Sequence, residues 1–233
     1  NGWRLDVLID EPDINPLAIQ GPKADDLMAE IFGDAVRNIR FFRYALLEFN
    51  GVEMVVARSG YSKQGGFEIY VPGGPVAMQL WNALFEAGAP MDVHAGCPNL
   101  IERIEGGLLS YGNDMTDDNT PHECGLGKFC DTHDALACIG RDALLRVAKE
   151  GPTQQIRAID ISGDAVPVCD RWWPIMAKGK RVGRVSSAAY SPDFKTNVAI
   201  GMVKMTHWDH DTEVQVETPD GLRDAKVYEK FWI

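Results

Sequence analysis

RSGYSKQGGFEIYV, residues 58–71, begins as a hinge and ends as a strand. At its centre lies Gly65-Gly66, a pair that permits positive φ angles and lets a ligand approach the main chain closely. Tyr61, Lys63 and Gln64 precede the pair, and Glu68 and Tyr70 follow it two residues apart. On a strand, residues i and i+2 share a face. The spacing therefore points Glu68 and Tyr70 together and sets Phe67, Ile69 and Val71 on the opposite, apolar face. From spacing alone, a solvated hairpin with a polar outer face is the favoured account of the stretch, ahead of a binding site.

Working outward, residues 40–49 and 52–58 read as two strands joined by Asn50-Gly51, the strongest short-range hairpin signal. Residues 17–20 form a short apolar strand stopped by Gly21-Pro22, with Pro22 suited to a first helical turn. The next segment, KADDLMAEIFG, places Leu27, Met28, Ile31 and Phe32 on one helical face and ends at Gly33. A short helix is expected over 34–38. After Gly73-Gly74-Pro75, residues 76–87 predict a helix carrying Met78, Leu80, Trp81, Leu84 and Phe85. Residues 3–9 alternate and predict one further strand. Helices interspersed with a run of hairpin-linked strands define an α+β unit, not an alternating parallel sheet.

Residues 97–109 and 139–150 predict helices around a polar loop at 110–121. Gly151-Pro152 is the best boundary in the chain. Beyond it, six short segments read as strands: 155–162, 166–169, 183–189, 198–204, 213–217 and 225–229. Turns at Gly163-Asp164, Pro192-Asp193 and Pro219-Asp220-Gly221 separate them. This is the pattern of a small β-barrel or sandwich. Trp172-Trp173-Pro174 is assigned a core or interdomain role.

Composition narrows the function classes. The 233 residues are 45% hydrophobic and 24% charged, with a formal net charge of −11. That balance argues against a general nucleic-acid binder and against a polybasic membrane surface. No apolar run approaches the roughly 20 residues of a membrane span. Five scattered cysteines, Cys97, Cys124, Cys130, Cys138 and Cys169, point to reduced thiols and a cytoplasmic setting.

No metal site is expected. His122, Cys124, Cys130 and His133 lack zinc spacing. His207-Trp208-Asp209-His210-Asp211 reads as an exposed loop. Asp114–Asp118 lacks the ligand spacing of a calcium loop. There is neither a phosphate loop nor a dinucleotide fingerprint.

Four stretches, in order, carry a family resemblance: LAIQGPKADDLM (17–28), ARSGYSKQGGFEIYV (57–71), NLIERIEGGLLSYGND (99–114) with TPHECGLG (120–127), and VGRVSSAAYSPDFKTNVAIGMV (182–203). The chain resembles the folate-dependent aminomethyltransferase family of the glycine cleavage T-protein, over almost its whole length. Within it, the likeness is to the branch that moves a methyl group from dimethylsulfoniopropionate to tetrahydrofolate. That branch has a lysine and a glutamine in the hinge, as here in Ser62-Lys63-Gln64-Gly65-Gly66. T-proteins carry a folate-binding arginine at the position of Asn99. The demethylases have tryptophan at the position of Tyr61.

The resemblance implies a fold and roles. Residues 1–150 are expected to be the C-terminal part of a folate-binding α+β domain, and 151–233 a C-terminal β-barrel. The implied cofactor is tetrahydrofolate. Glu68 and Tyr70 would bind it, with Tyr70 also flanking the reacting centre as the catalytic candidate. Tyr61 and Lys63 would bind substrate. Arg103 and Glu105 resemble a family Arg-x-Glu pair, or form a structural ion pair. Implied partners are a small-molecule substrate, folate and an N-terminal part of the same protein, with a homo-oligomer left open. Neither nucleic acid nor membrane is expected.

Two other readings stay open. One is a T-protein-like aminomethyltransferase. The other is a folate-binding iron–sulfur accessory protein, which would carry Lys-Gly-Cys where this chain has Ser59-Gly60-Tyr61.

Overall fold

The computed structural model describes residues 6–97, 100–130 and 139–233. They belong to two compact units, Asn1–Pro98 and Asn99–Ile233.

In the first unit, strands β1 (Ile14–Gln20), β2 (Tyr44–Phe49), β3 (Val52–Ala57) and β4 (Gly66–Pro72) form an antiparallel sheet in the order β1-β4-β3-β2. Helices α1 (Ala24–Phe32) and α2 (Gly74–Gly88) supply the core over one face. The alternation in β4 works as its sequence requires: Phe67, Ile69 and Val71 are fully buried. They meet Leu27 and Met28 of α1, Leu80 and Leu84 of α2, and Met54 and Val56 of β3 in one core cluster. Each large side chain removed from water contributes about 1.5–3 kcal/mol, which fixes the sheet's register. A slip of one residue would exchange Ile69 for Tyr70 in the core. The β2–β3 turn is Asn50-Gly51 with φ of 52° and 78°, the paired positive angles of a type I′ hairpin.

In the second unit, α3 (Leu100–Glu105) and α4 (Arg141–Glu150) accompany six strands. These are β5 (Gln154–Ile161), β6 (Trp173–Ala177), β7 (Lys180–Ser191), β8 (Thr196–Lys204), β9 (Thr212–Thr218) and β10 (Gly221–Tyr228). They close into a barrel in the order β10-β5-β8-β7-β6-β9, every described pair antiparallel. Ile159, Ile161, Trp173, Ile175, Val185, Ala199 and Val216 fill it. Val198, Ile200 and Met202 of β8 instead pack with Ile104 of α3. Both faces of β8 are covered, so Asn197–Val203 is buried without a break. Gly151-Pro152 lies between α4 and β5 in this unit.

The expected α+β fold with a C-terminal barrel is present, but several elements differ. Residues 6–9 form no strand, and Val7, Leu8 and Ile9 are exposed; alternation makes a strand only where a neighbour supplies ladder hydrogen bonds. The helix expected over 97–109 is Leu100–Glu105, with 98 and 99 outside the described residues. Gly106 and Gly107 unwind it, the latter at φ 64°. Residues 166–169 are not a strand. Pro167 has no N–H for a ladder, and Val166 instead donates to Asn197 Oδ1 at 2.8 Å. The sixth strand is β6, where Trp173 is a barrel core residue. Pro174 is tolerated there because β6 meets β9 only at Ile175 and Met176.

Candidate functional site

The hinge of 58–66 is tied down at both ends. Arg58 bonds both carboxylate oxygens of Asp25 at 2.8 Å and lies 5.0 Å above the buried Phe67 ring. At the other end Gly66 has φ 142°, and a Cβ there would lie 2.1 Å from the Ile19 carbonyl. Only glycine lets β4 start so close to β1.

Between these anchors sits the amide of Gln20. Its Nε2 donates to Ser59 O at 3.1 Å and to Phe67 O at 3.3 Å, and its Oε1 accepts from Ser62 Oγ at 2.8 Å. The Ser62 hydroxyl in turn accepts from Gln64 N at 3.3 Å. A Cβ on Gly60 would fall 1.9 Å from Gln20 Oε1, so the hinge folds over the amide only with glycine at this position. Gln20 is thus the clamp that shapes the hinge.

The shaped hinge presents Ser59, whose Oγ donates to Glu68 Oε2. Cross-strand registers place Tyr44, Ala57, Glu68 and Ala18 in one row, and Leu46, Val55, Tyr70 and Pro16 in the next. Paired residues of neighbouring strands point to the same side. Glu68 and Tyr70 therefore share the face opposite Phe67, Ile69 and Val71, as their spacing predicts. Tyr70 is 39% exposed. A carboxylate has about four acceptor positions, so Glu68 held by one serine retains capacity for a ligand. This can seat a flat heterocycle with adjacent N–H groups, its plane against an aromatic ring. Tyr61 is half-buried within the hinge, and Lys63 is exposed at its tip with φ 62°.

Sequence reasoning missed Gln20, Ser59 and Ser62 as contributors. The available signal was an amide at a strand end directly before Gly21-Pro22, too large and polar to be left without a partner when half-buried.

The second unit holds a different polar cluster. Asp114, fully buried, accepts on Oδ2 from Arg103 Nη1 at 2.7 Å and Ser110 N at 2.8 Å. On Oδ1 it accepts from Ser186 Oγ at 2.6 Å and Ser187 Oγ at 2.7 Å. Consecutive strand residues ordinarily face opposite ways. Here β7 shifts register between Val185 and Ser187, and such a bulge re-aims side chains. Arg103 pairs with Asp114, not Glu105. Nearby, the Arg184 guanidinium stacks 4.1 Å over Trp172. Burial and then the charge of Arg181 pull the Arg184 pKa down. Burial, then the carboxylates of Asp114 and Asp170, push the Cys169 thiol up to about 12.

Among the described residues no three His, Cys, Asp or Glu side chains come together as metal ligands. Asn99, His133 and Cys138 lie outside the described residues. Cys124 is buried, and burial raises its pKa. His207 contacts Thr206, and His210 lies against Tyr228.

Two family models together match most of the chain, and the first runs past residue 98 into the second compact unit. The GCVT N-terminal domain matches residues 5–134, and the glycine cleavage T-protein C-terminal barrel domain matches 155–232. The chain belongs to the glycine cleavage T-protein family. It is 62% identical over 228 residues to the dimethylsulfoniopropionate demethylase DmdA of Ruegeria pomeroyi, covering 98% of this chain and 62% of that protein. An aminomethyltransferase of Symbiobacterium thermophilum is 33% identical over 97% of this chain and 60% of its own length. The crystal structure of aminomethyltransferase T from Bartonella henselae shares the fold, with a TM-score of 0.72 and 23% identity, over 94% of this chain and 59% of that one. The chain thus spans less than two thirds of the length of each of these relatives. No helix among the described residues is long and apolar enough to cross a membrane.

Proposed function

We propose that this chain is the folate-binding part of a cytoplasmic, tetrahydrofolate-dependent dimethylsulfoniopropionate demethylase. The products would be methylmercaptopropionate and 5-methyltetrahydrofolate. The observation that carries the reading is Glu68, oriented by Ser59 beside Tyr70 on an open sheet face, in a chain 62% identical to such a demethylase. In this proposal residues 1–150 are the C-terminal part of the folate domain and 151–233 the barrel. The family length that this chain does not span completes the pocket, and a homo-oligomer stays open.

The donor set suits a reduced pterin. A carboxylate that accepts paired N–H groups is a strong, directional contact, and Ser59 fixes its rotation. When bound, tetrahydrofolate supplies the N5 lone pair that accepts the methyl group. Transfer there would form a C–N bond as the C–S bond breaks, with the bonding pair leaving on sulfur and the displaced N5 proton passing to solvent. The sulfonium departs as a neutral thioether, so the protein need not furnish a general acid. Its residues position the reactants, an effect that can supply several kcal/mol of the barrier. Glu68 anchors the ring. Tyr70, one strand pleat along the same face, flanks the reacting centre. Tyr61 offers its ring to the sulfonium, an attraction of about 0.5–2 kcal/mol. Lys63, exposed at the hinge tip, meets the substrate carboxylate.

The test is to incubate the protein in its full natural length with tetrahydrofolate and dimethylsulfoniopropionate. Mass spectrometry should find both products in equal amounts, with the yield falling in Glu68→Ala and Tyr70→Phe. Formation of 5,10-methylenetetrahydrofolate from an aminomethyl donor, without demethylation, would replace this reading with the aminomethyltransferase one.

A further inference from the structure

The hydrogen bonds around Gln20 run in one fixed direction. Ser59 O and Phe67 O can only accept, and both face the Gln20 side-chain amide, at 3.1 and 3.3 Å. They turn its nitrogen toward themselves and its oxygen toward Ser62. Ser62 is buried, and it commits its one hydroxyl hydrogen to Gln20 Oε1 at 2.8 Å while accepting from Gln64 N at 3.3 Å. Flipping the amide would set its oxygen against two carbonyls, and a polar group left unsatisfied away from water is costly. The hinge therefore has one bonded arrangement around this side chain.

The amide stands between two halves of the hinge. Its nitrogen holds the main chain of Ser59 and Phe67, and these two residues govern Glu68: Ser59 Oγ donates to Glu68 Oε2, and Phe67 precedes it in β4. Its oxygen holds Ser62, the neighbour of Tyr61. The main chain closes on the amide from both sides, because a Cβ on Gly60 would lie 1.9 Å from Gln20 Oε1 and one on Gly66 2.9 Å from Gln20 Nε2. Gln20 is also paired with Gly66 across β1 and β4, and Gly21 N donates to Gly65 O at 3.2 Å. The strand end that carries the amide is thus fastened to the glycine pair as well.

We infer that Gln20 is a positioning residue that sets the spacing between Glu68 on the folate side and Tyr61 on the sulfonium side, with Ser62 carrying its hold to the sulfonium side alone. This rests on the folate and sulfonium reading of the hinge. Transfer between two bound reactants depends steeply on their placement, and an error of about 1 Å can cost about 100-fold in rate. One amide bonded to both halves makes that spacing the property of a single side chain. Gln20 touches neither reactant and acts through Ser59, Phe67 and Ser62.

The test uses the protein in its full natural length and compares Ser62→Ala and Gln20→Leu with wild type. Calorimetry gives the Kd for tetrahydrofolate, and initial rates give kcat and KM for dimethylsulfoniopropionate. Ser62→Ala should raise KM about tenfold and leave the folate Kd within about twofold. Gln20→Leu should weaken both, and its kcat with both reactants saturating should fall about tenfold or more, because saturation does not restore the spacing. Melting curves report folding, and should Gln20→Leu fail to fold, Ser62→Ala decides alone. A lowered melting temperature with Kd, KM and kcat per folded molecule at wild-type values would make Gln20 a structural residue only and overturn the inference. A Ser62→Ala variant whose KM and folate Kd rise together would also overturn it. Both results leave the folate reading standing. Failure of wild type to bind tetrahydrofolate or to demethylate overturns that reading and the inference with it.

Discussion

Two carboxylates in this molecule are held by serines, with opposite results. Glu68 takes Ser59 on one oxygen and stands half-buried on an open sheet face. Asp114 takes Arg103, Ser110 N, Ser186 and Ser187, and is fully buried. Asp114 is saturated, since four donors fill its two oxygens. Glu68 keeps acceptor capacity. A buried, saturated charge is structural, whereas an oriented carboxylate with acceptor positions to spare can take a ligand.

Arg103→Met should have the largest effect. It strands the buried Asp114 charge and should cost about 3–5 kcal/mol of stability. Urea unfolding measures the loss, and the folate affinity of the molecules that remain folded should be unchanged. If affinity fell in step, the two clusters would not be separable in function. Gly66→Ala comes next. Its Cβ would meet the Ile19 carbonyl at a φ of 142°, so strain of about 1–3 kcal/mol is expected, together with lost folate binding. A normal melting curve would show that the close approach of β1 and β4 is not needed.

Glu68→Ala sharpens the contrast from the other side. Losing a charged hydrogen bond to the ligand should weaken folate binding by about 1.5–3 kcal/mol. Stability should change by less than about 1 kcal/mol, because the side chain is only half-buried. Calorimetric titration and melting on one sample give both numbers.

The smallest effect belongs to Cys169. Its folded pKa is raised to about 12, first by burial, so folding favours the neutral thiol. That contribution is complete below the unfolded thiol pKa of about 8.5 and is lost as pH climbs toward 12. Cys169→Ser should flatten the decline of stability above pH ~9. At neutral pH a thiol reagent should modify the exposed Cys97 well before Cys169.

The sequence made local features legible and distant ones invisible. The Asn50-Gly51 hairpin, the alternation of β4 and the shared face of Glu68 and Tyr70 all follow from neighbours within a few residues. Gln20 did not stand out, because its amide bonds residues 39, 42 and 47 positions away. Asp114 read as part of a polar loop, because its serine partners lie 72 and 73 positions away and a bulge is needed to aim both. The strand expected at 166–169 and the strand found as β6 show the same limit. Residues 166–169 have an apolar pattern that Pro167 disqualifies, while Trp173-Pro174 forms a strand because β9 leaves Pro174 unpaired. The methyl-transfer reading came from family resemblance, since spacing alone offered only a polar hinge.

The most direct measurement is a single turnover with dimethylsulfoniopropionate whose S-methyl groups are fully deuterated. The account predicts that tetrahydrofolate gains one intact CD3 group at N5 and that an equal amount of methylmercaptopropionate appears. It also predicts that both signals collapse together in Glu68→Ala. Release of methylmercaptopropionate without a CD3 group on folate, or full transfer by Glu68→Ala, would contradict the claim that this hinge holds the folate beside the sulfonium.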